Sequence, residues 1–113
     1  MVGRSFVYTY TSGLHYRISF DKEYVYFSVP RQPDGTRYIG VPYRQREVGP
    51  GLYLVHWMVP GRAGHVSLVF NIAEKKVDAA ALMPGLFELF DRATLSEMYE
   101  DGEQALWKED PRS

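Results

Sequence analysis

Short runs of alternating apolar and polar residues, broken about every ten residues by Gly, Pro, Asp or Asn, constrain this chain more than any other feature. Alternation with a period of two puts successive side chains on opposite faces of a strand, whereas a helix needs apolar residues three and four apart. The runs predict strands over residues 5–10, 14–20, 24–29, 37–44, 52–59, 64–71, 76–83 and 86–95. Thr11-Ser12-Gly13, Asp21-Lys22, Pro33-Asp34-Gly35, Gly49-Pro50-Gly51, Pro60-Gly61-Arg62 and Ala73-Glu74-Lys75 supply turn residues between them. Short connections imply an up-and-down antiparallel order. Eight such strands in 113 residues close most economically into a small barrel, which removes sheet edges and leaves room inside for one small ligand. A short sandwich is the alternative. The length suits a single domain over residues 1–113, and residues 96–107, rich in helix formers and acids, predict a short C-terminal helix.

Strand parity also groups the side chains. Phe6, Tyr8 and Tyr10 share one face, and Tyr16, Ile18 and Phe20 share one on the next strand. Tyr8 and Tyr10 therefore aim two hydroxyls at one spot, a polar clamp in an otherwise apolar cavity, with Tyr16 on the same wall. Between Leu52 and Val59 the bulkier set Tyr53, Val55, Trp57 and Val59 is assigned to the interior, and Leu54, His56 and Met58 to the outside. A buried phenol needs a partner, so several phenols facing one cavity favour a site over plain packing. Arg37 is the candidate cation, able to fork onto a carboxylate.

Composition excludes several classes. Thirteen Lys and Arg balance fourteen Asp and Glu, and no basic run is interleaved with aromatics, so nucleic acid is not an expected partner. Without cysteine there is no disulfide or thiolate chemistry. No segment has the apolar length of a membrane span and the first residues lack a leader-like apolar run, so a cytoplasmic location and no membrane partner are expected. His15, His56 and His65 lack metal-site spacing, so no metal is expected, and no cofactor motif is present. Ser5, Ser19 and Ser67 sit in no nucleophile-elbow pattern. The apolar stripe of Leu54 and Met58 beside His56 predicts a homodimer through the outside of the sheet.

Phe-Val-Tyr-Thr-Tyr-Thr-Ser-Gly-Leu-His-Tyr at 6–16, Gly-Thr-Arg-Tyr at 35–38, Gly-Leu-Tyr-Leu-Val-His-Trp at 51–57 and Val-Ser-Leu-Val-Phe-Asn-Ile-Ala-Glu-Lys-Lys at 66–76 occur in an order that resembles the bacterial phenolic acid decarboxylases and the related MoaF-like proteins. The resemblance runs from about Phe6 to Met83. It implies a calycin-type, lipocalin-like barrel that loses carbon dioxide from a para-hydroxycinnamic acid without any cofactor. The family's Tyr-x-Tyr pair falls on Tyr8 and Tyr10, its further tyrosine on Tyr16 and its arginine on Arg37. Its catalytic glutamate, two residues after the tryptophan, is replaced here by Val59 in Trp57-Met58-Val59-Pro60. Valine can neither donate nor accept a proton, and a positioned acid contributes about 10²- to 10⁴-fold. Glu47 and Glu88 are the only candidate substitutes.

The expectation is thus a cofactor-free lyase, isomerase or cyclase for a small phenolic or enolic, carboxylated molecule. Tyr8, Tyr10 and Arg37 would be its catalytic groups, and Tyr16, Trp57, Val59, Val66, Leu68, Ala81 and Met83 would line the substrate. Ala79-Ala80-Ala81 in place of bulkier family residues implies a wider pocket. A non-catalytic carrier or sensor of the same fold is the alternative.

Overall fold

The alternating runs become strands that all join one sheet. The computed structural model describes residues 1–28, 38–59, 61, 63–83 and 85–99. The strands are β1 (Ser5–Tyr10), β2 (His15–Phe20), β3 (Tyr24–Ser28), β4 (Tyr38–Pro42), β5 (Arg44–Gly49), β6 (Leu52–Met58), β7 (His65–Asn71), β8 (Lys76–Met83) and β9 (Phe87–Tyr99). Their order is β4-β3-β2-β1-β9-β8-β7-β6-β5, antiparallel throughout. The first strand pairs with the last, and the sheet curls until β4 approaches β6, giving a nearly closed barrel.

Two expectations need correction. Nine strands replace the expected eight because the run at 37–44 ends at Tyr43 and Arg44–Gly49, which beyond Arg44 fell in no expected strand, forms β5. Pro42 offers no N–H to continue the ladder, and beyond it the chain changes partner, from β3 to β6. Tyr43 is the pivot: its amide donates to Glu23 O at 3.2 Å and its hydroxyl to Asp21 O at 2.8 Å. The terminal ammonium of Met1 donates to Gln45 Oε1 at 3.0 Å at this seam.

The second correction concerns the expected C-terminal helix. Ser96 to Tyr99 continue β9 as strand, with Glu97 opposite Val7, Met98 opposite Phe6 and Tyr99 opposite Ser5. Ladder pairing with β1 overrides the helix preference of these residues. The rest of that tail lies outside the described residues. Ser96 is the extra residue of a β-bulge at Val7 and Tyr8, and its hydroxyl donates to Val7 O at 3.1 Å. Among the described residues no helix is long and apolar enough to cross a membrane.

The interior has two tiers. In the lower one Phe6, Phe20 and Phe70 are fully buried and touch one another, with ring centres 4.7 Å apart for Phe6 and Phe70, 5.8 Å for Phe20 and Phe70 and 6.2 Å for Phe6 and Phe20. Tyr43 closes this tier, 5.1 Å from Phe20. Ser5 and Ser19, directly paired and buried, share a 2.7 Å hydroxyl contact that offsets their desolvation. The upper tier carries the tyrosines.

Phe70→Ala removes the ring that touches both other phenylalanines and should cost about 3–5 kcal/mol of unfolding free energy in a urea titration. A loss below about 1 kcal/mol would show that the lower tier does not hold the barrel together.

Candidate functional site

Tyr8 and Tyr10 are placed by β1 and Tyr16 by β2, with Tyr8 directly opposite Tyr16 in the ladder. The connecting turn is tight. Tyr10 N donates to Leu14 O at 2.8 Å and Gly13 N to Tyr10 O at 2.9 Å, and Gly13 takes φ 94°, a conformation L side chains rarely adopt. The turn thereby fixes Tyr10 against Tyr16.

The three phenol rings form one cluster. Tyr8 lies over Tyr16 at 5.9 Å and 25°, while Tyr10 meets Tyr8 edge-on at 5.5 Å and Tyr16 edge-on at 5.8 Å. Phe70 meets Tyr8 edge-on at 6.2 Å and joins the cluster to the lower tier. Tyr8 and Tyr10 are buried, and Tyr16 is half-buried.

The facing wall is built mostly of small and aliphatic side chains, with Trp57 on β6 and Asp91 on β9 the exceptions. The ladder rows run Trp57, Val66, Ala81, Leu89 and, below it, Val55, Leu68, Ala79, Asp91. Ala93, opposite Tyr10, is another small inward residue. Trp57 is buried and stacks on Phe27, with centres 5.5 Å apart. Val59 and Met83 are half-buried at the end of the barrel where β6 and β8 finish, and Val59 N donates to Gly64 O at 3.0 Å. The structure therefore puts Tyr8, Tyr10, Tyr16, Trp57, Val66, Leu68 and Ala81 on the inner face and Val59 and Met83 near its end. Arg37 lies outside the described residues. Glu88 is exposed and opposite Leu82, and Glu47 is exposed on β5 near the amino terminus.

The electrostatics favour neutral phenols. Burial pushes the Tyr8 hydroxyl well above its ordinary value, helped by the charges that Tyr10 and Tyr16 would carry if ionised and by the hydrogen bond to Tyr10. Burial also raises Tyr10. The bond from Tyr8 works against that rise, and Tyr16 and Asp91 add to it. Burial is the largest cause for both hydroxyls, so the pair keeps its protons at neutral pH.

Asp91 is the functional candidate that the sequence did not single out. Its carboxylate accepts from Thr11 Oγ1 at 2.5 Å and Ser12 N at 3.4 Å, fastening the β1–β2 turn to β9. The Thr11 bond and then the Arg92 amide hold its carboxyl below the usual range, so it stays ionised beside Tyr10. No local motif marks an acid whose partner is 80 residues away.

Fold and site define a nearly closed antiparallel β-barrel with a cluster of three tyrosines in its upper tier. No family model and no curated protein matches the chain. Among solved structures it is similar to a crystal structure described as "a putative beta-lactamase from Burkholderia vietnamiensis", at TM-score 0.71 and 17% identity over 83% of this chain and 91% of that one. At that identity the likeness shows the fold.

Raised tyrosines also set an alkaline limit. A folded-state value above the unfolded value of 10 contributes stability that is complete below that pH and is lost as pH rises toward the folded value. Unfolding free energy should therefore fall from about pH 10 upward, and less steeply in Tyr8→Phe. Equal alkaline slopes in denaturant titrations of both proteins would contradict the buried, neutral Tyr8.

Proposed function

We propose that this chain is a calycin-like barrel that binds a small aromatic or enolic acid between the tyrosine cluster and the Trp57, Val66 and Ala81 wall. The supporting observation is the cluster itself, three phenol rings with centres no more than 5.9 Å apart and two of them buried on the inner face. Burial keeps Tyr8 and Tyr10 protonated, and a neutral phenol can donate to a phenolate, enolate or carboxylate oxygen. Aromatic rings on one side and small aliphatic side chains on the other suit a flat ring.

Binding without turnover is the first reading. Among the described residues the only buried polar groups besides the tyrosines are Ser5 and Ser19, which satisfy each other. Val59 occupies the place where the decarboxylases that the sequence resembles carry their acid. The second reading is a cofactor-free lyase, isomerase or cyclase, and Asp91 favours it, because an ionised carboxylate next to Tyr10 could take up a proton that Tyr10 relays.

Calorimetric titration with para-coumarate, ferulate and caffeate tests the site, with absorbance followed in the same samples. Saturable binding is expected, weakened about tenfold by Tyr10→Phe, the equivalent of about 1.4 kcal/mol, with the cinnamate band unchanged. Loss of the band in the unsubstituted protein would establish the second reading, and loss only in Val59→Glu would confirm that the missing acid separates this chain from the decarboxylases. No binding of any of the three acids would remove this ligand class.

The outer face of β6 to β9 is proposed to meet a second copy. It carries Leu54 and Phe90, the latter 81% exposed, over a groove of about 710 Å³ that also includes Val69 and Ala80. The Asp78 and Arg92 ion pair, at 2.6 Å, lies in the same groove. A two-fold axis here would bring the acid of each copy next to the arginine of the other, so the patch is self-complementary in charge and apolar around it. Sedimentation equilibrium should give a dimer for the natural chain and a monomer for Phe90→Glu, and a monomeric natural chain would refute the interface.

A further inference from the structure

We propose that His56, His65 and Met58 form a surface site for a soft monovalent metal ion, Cu(I), on the outer face of β6 and β7. All three residues project from that face. Met58 is directly opposite His65 in the ladder, and His56 precedes Met58 by two residues on the same side of β6. Met58 is 61% exposed, His65 is exposed and His56 half-buried, so a metal can reach them from solvent.

The imidazoles are spaced for one ion. Their ring centres are 5.8 Å apart and the planes are tilted by 44°, not stacked face to face. With metal–nitrogen bonds of about 2.0 Å each ring centre would lie about 3.2 Å from a shared ion, so this separation subtends about 130° at the metal. That angle is close to trigonal, leaving the third position for the thioether across the ladder.

His56 is also oriented. Its Nδ1 is 2.9 Å from Ser67 Oγ, the residue opposite it. With Nδ1–H donating to the hydroxyl, the Nε2 lone pair is free to bind, which is how a ligating histidine is commonly fixed.

The donor set and local charge select the ion. Thioether sulfur prefers Cu(I), imidazole accepts it, and harder divalent ions favour carboxylate or carbonyl oxygen. Among the described residues no group of three His, Cys, Asp or Glu could hold a metal, so the site depends on the sulfur of Met58. Arg44 is opposite His56 on β5, and neither β6 nor β7 carries a carboxylate to offset a cation. A single charge is repelled half as strongly as a double one.

The test is anaerobic titration of the full chain with Cu(I) against bicinchoninate, repeated in Phe90→Glu to remove any contribution from chain pairing. One equivalent per chain is expected to leave the coloured complex. His65→Ala and Met58→Leu should each weaken the competition about tenfold or more, and His15→Ala, at a histidine on β2 bonded to Thr9, should leave it unchanged. Methyl NMR of the unsubstituted protein, which has four methionines, should show Cu(I) shifting the Met58 resonance and leaving the others in place. The proposal is overturned if the chain takes no Cu(I) from bicinchoninate, if His65→Ala and Met58→Leu compete as well as the natural sequence, or if the Met58 methyl does not move.

Discussion

Pairing between the first strand and the last carries the rest of the architecture. Nearly the whole chain must return before Ser5 meets Tyr99, and that non-local ladder turns a curled sheet into a nearly closed barrel. The same pairing fixes Tyr10 opposite Ala93 and Tyr8 opposite Leu95. The Ser96 bulge absorbs one extra residue and increases the local twist, which lets the long β9 serve both β8 and β1. Without this closure the tyrosine hydroxyls would face water, and nothing would raise Tyr8 or Tyr10 above ordinary phenols.

The two tiers differ in what they bury. Phe6, Phe20 and Phe70 bury large apolar area at about 25 cal/mol per Å² and make edge and tilted ring contacts with each other. The tyrosine tier also buries rings, but each hydroxyl taken from water needs a partner, and the Tyr8 hydroxyl has Tyr10 beside it. Ala79, Ala81 and Ala93 are small, buried side chains on β8 and β9.

Much of the fold was legible because a half-buried strand writes its two faces into alternate residues. Parity placed Phe6, Tyr8 and Tyr10 together and chose Trp57 over His56 for the interior, as the structure has it. It failed where pairing outweighed local preference. The partner change at Tyr43 depends on hydrogen bonds to Asp21 and Glu23, more than eighteen residues upstream, and Ser96 to Tyr99 are strand only because β1 is beside them. Asp91 was missed for the same reason, since its meaning comes from Thr11 and Tyr10 on a distant strand. Of what the resemblance implied, the structure bears out a nearly closed antiparallel barrel.

The central claim, that the cluster of Tyr8, Tyr10 and Tyr16 is the ligand-binding end of the barrel, is tested most directly by NMR of the full chain carrying tyrosine labelled with ¹³C at the ζ carbon, recorded with and without para-coumarate. The account predicts that of the nine tyrosines, Tyr8, Tyr10 and Tyr16 shift on saturation, with Tyr10 moving furthest, and that Tyr24 on the exposed surface stays in place. Saturable binding that leaves the three clustered resonances unmoved would contradict it, placing the ligand elsewhere and reducing the tyrosines to packing.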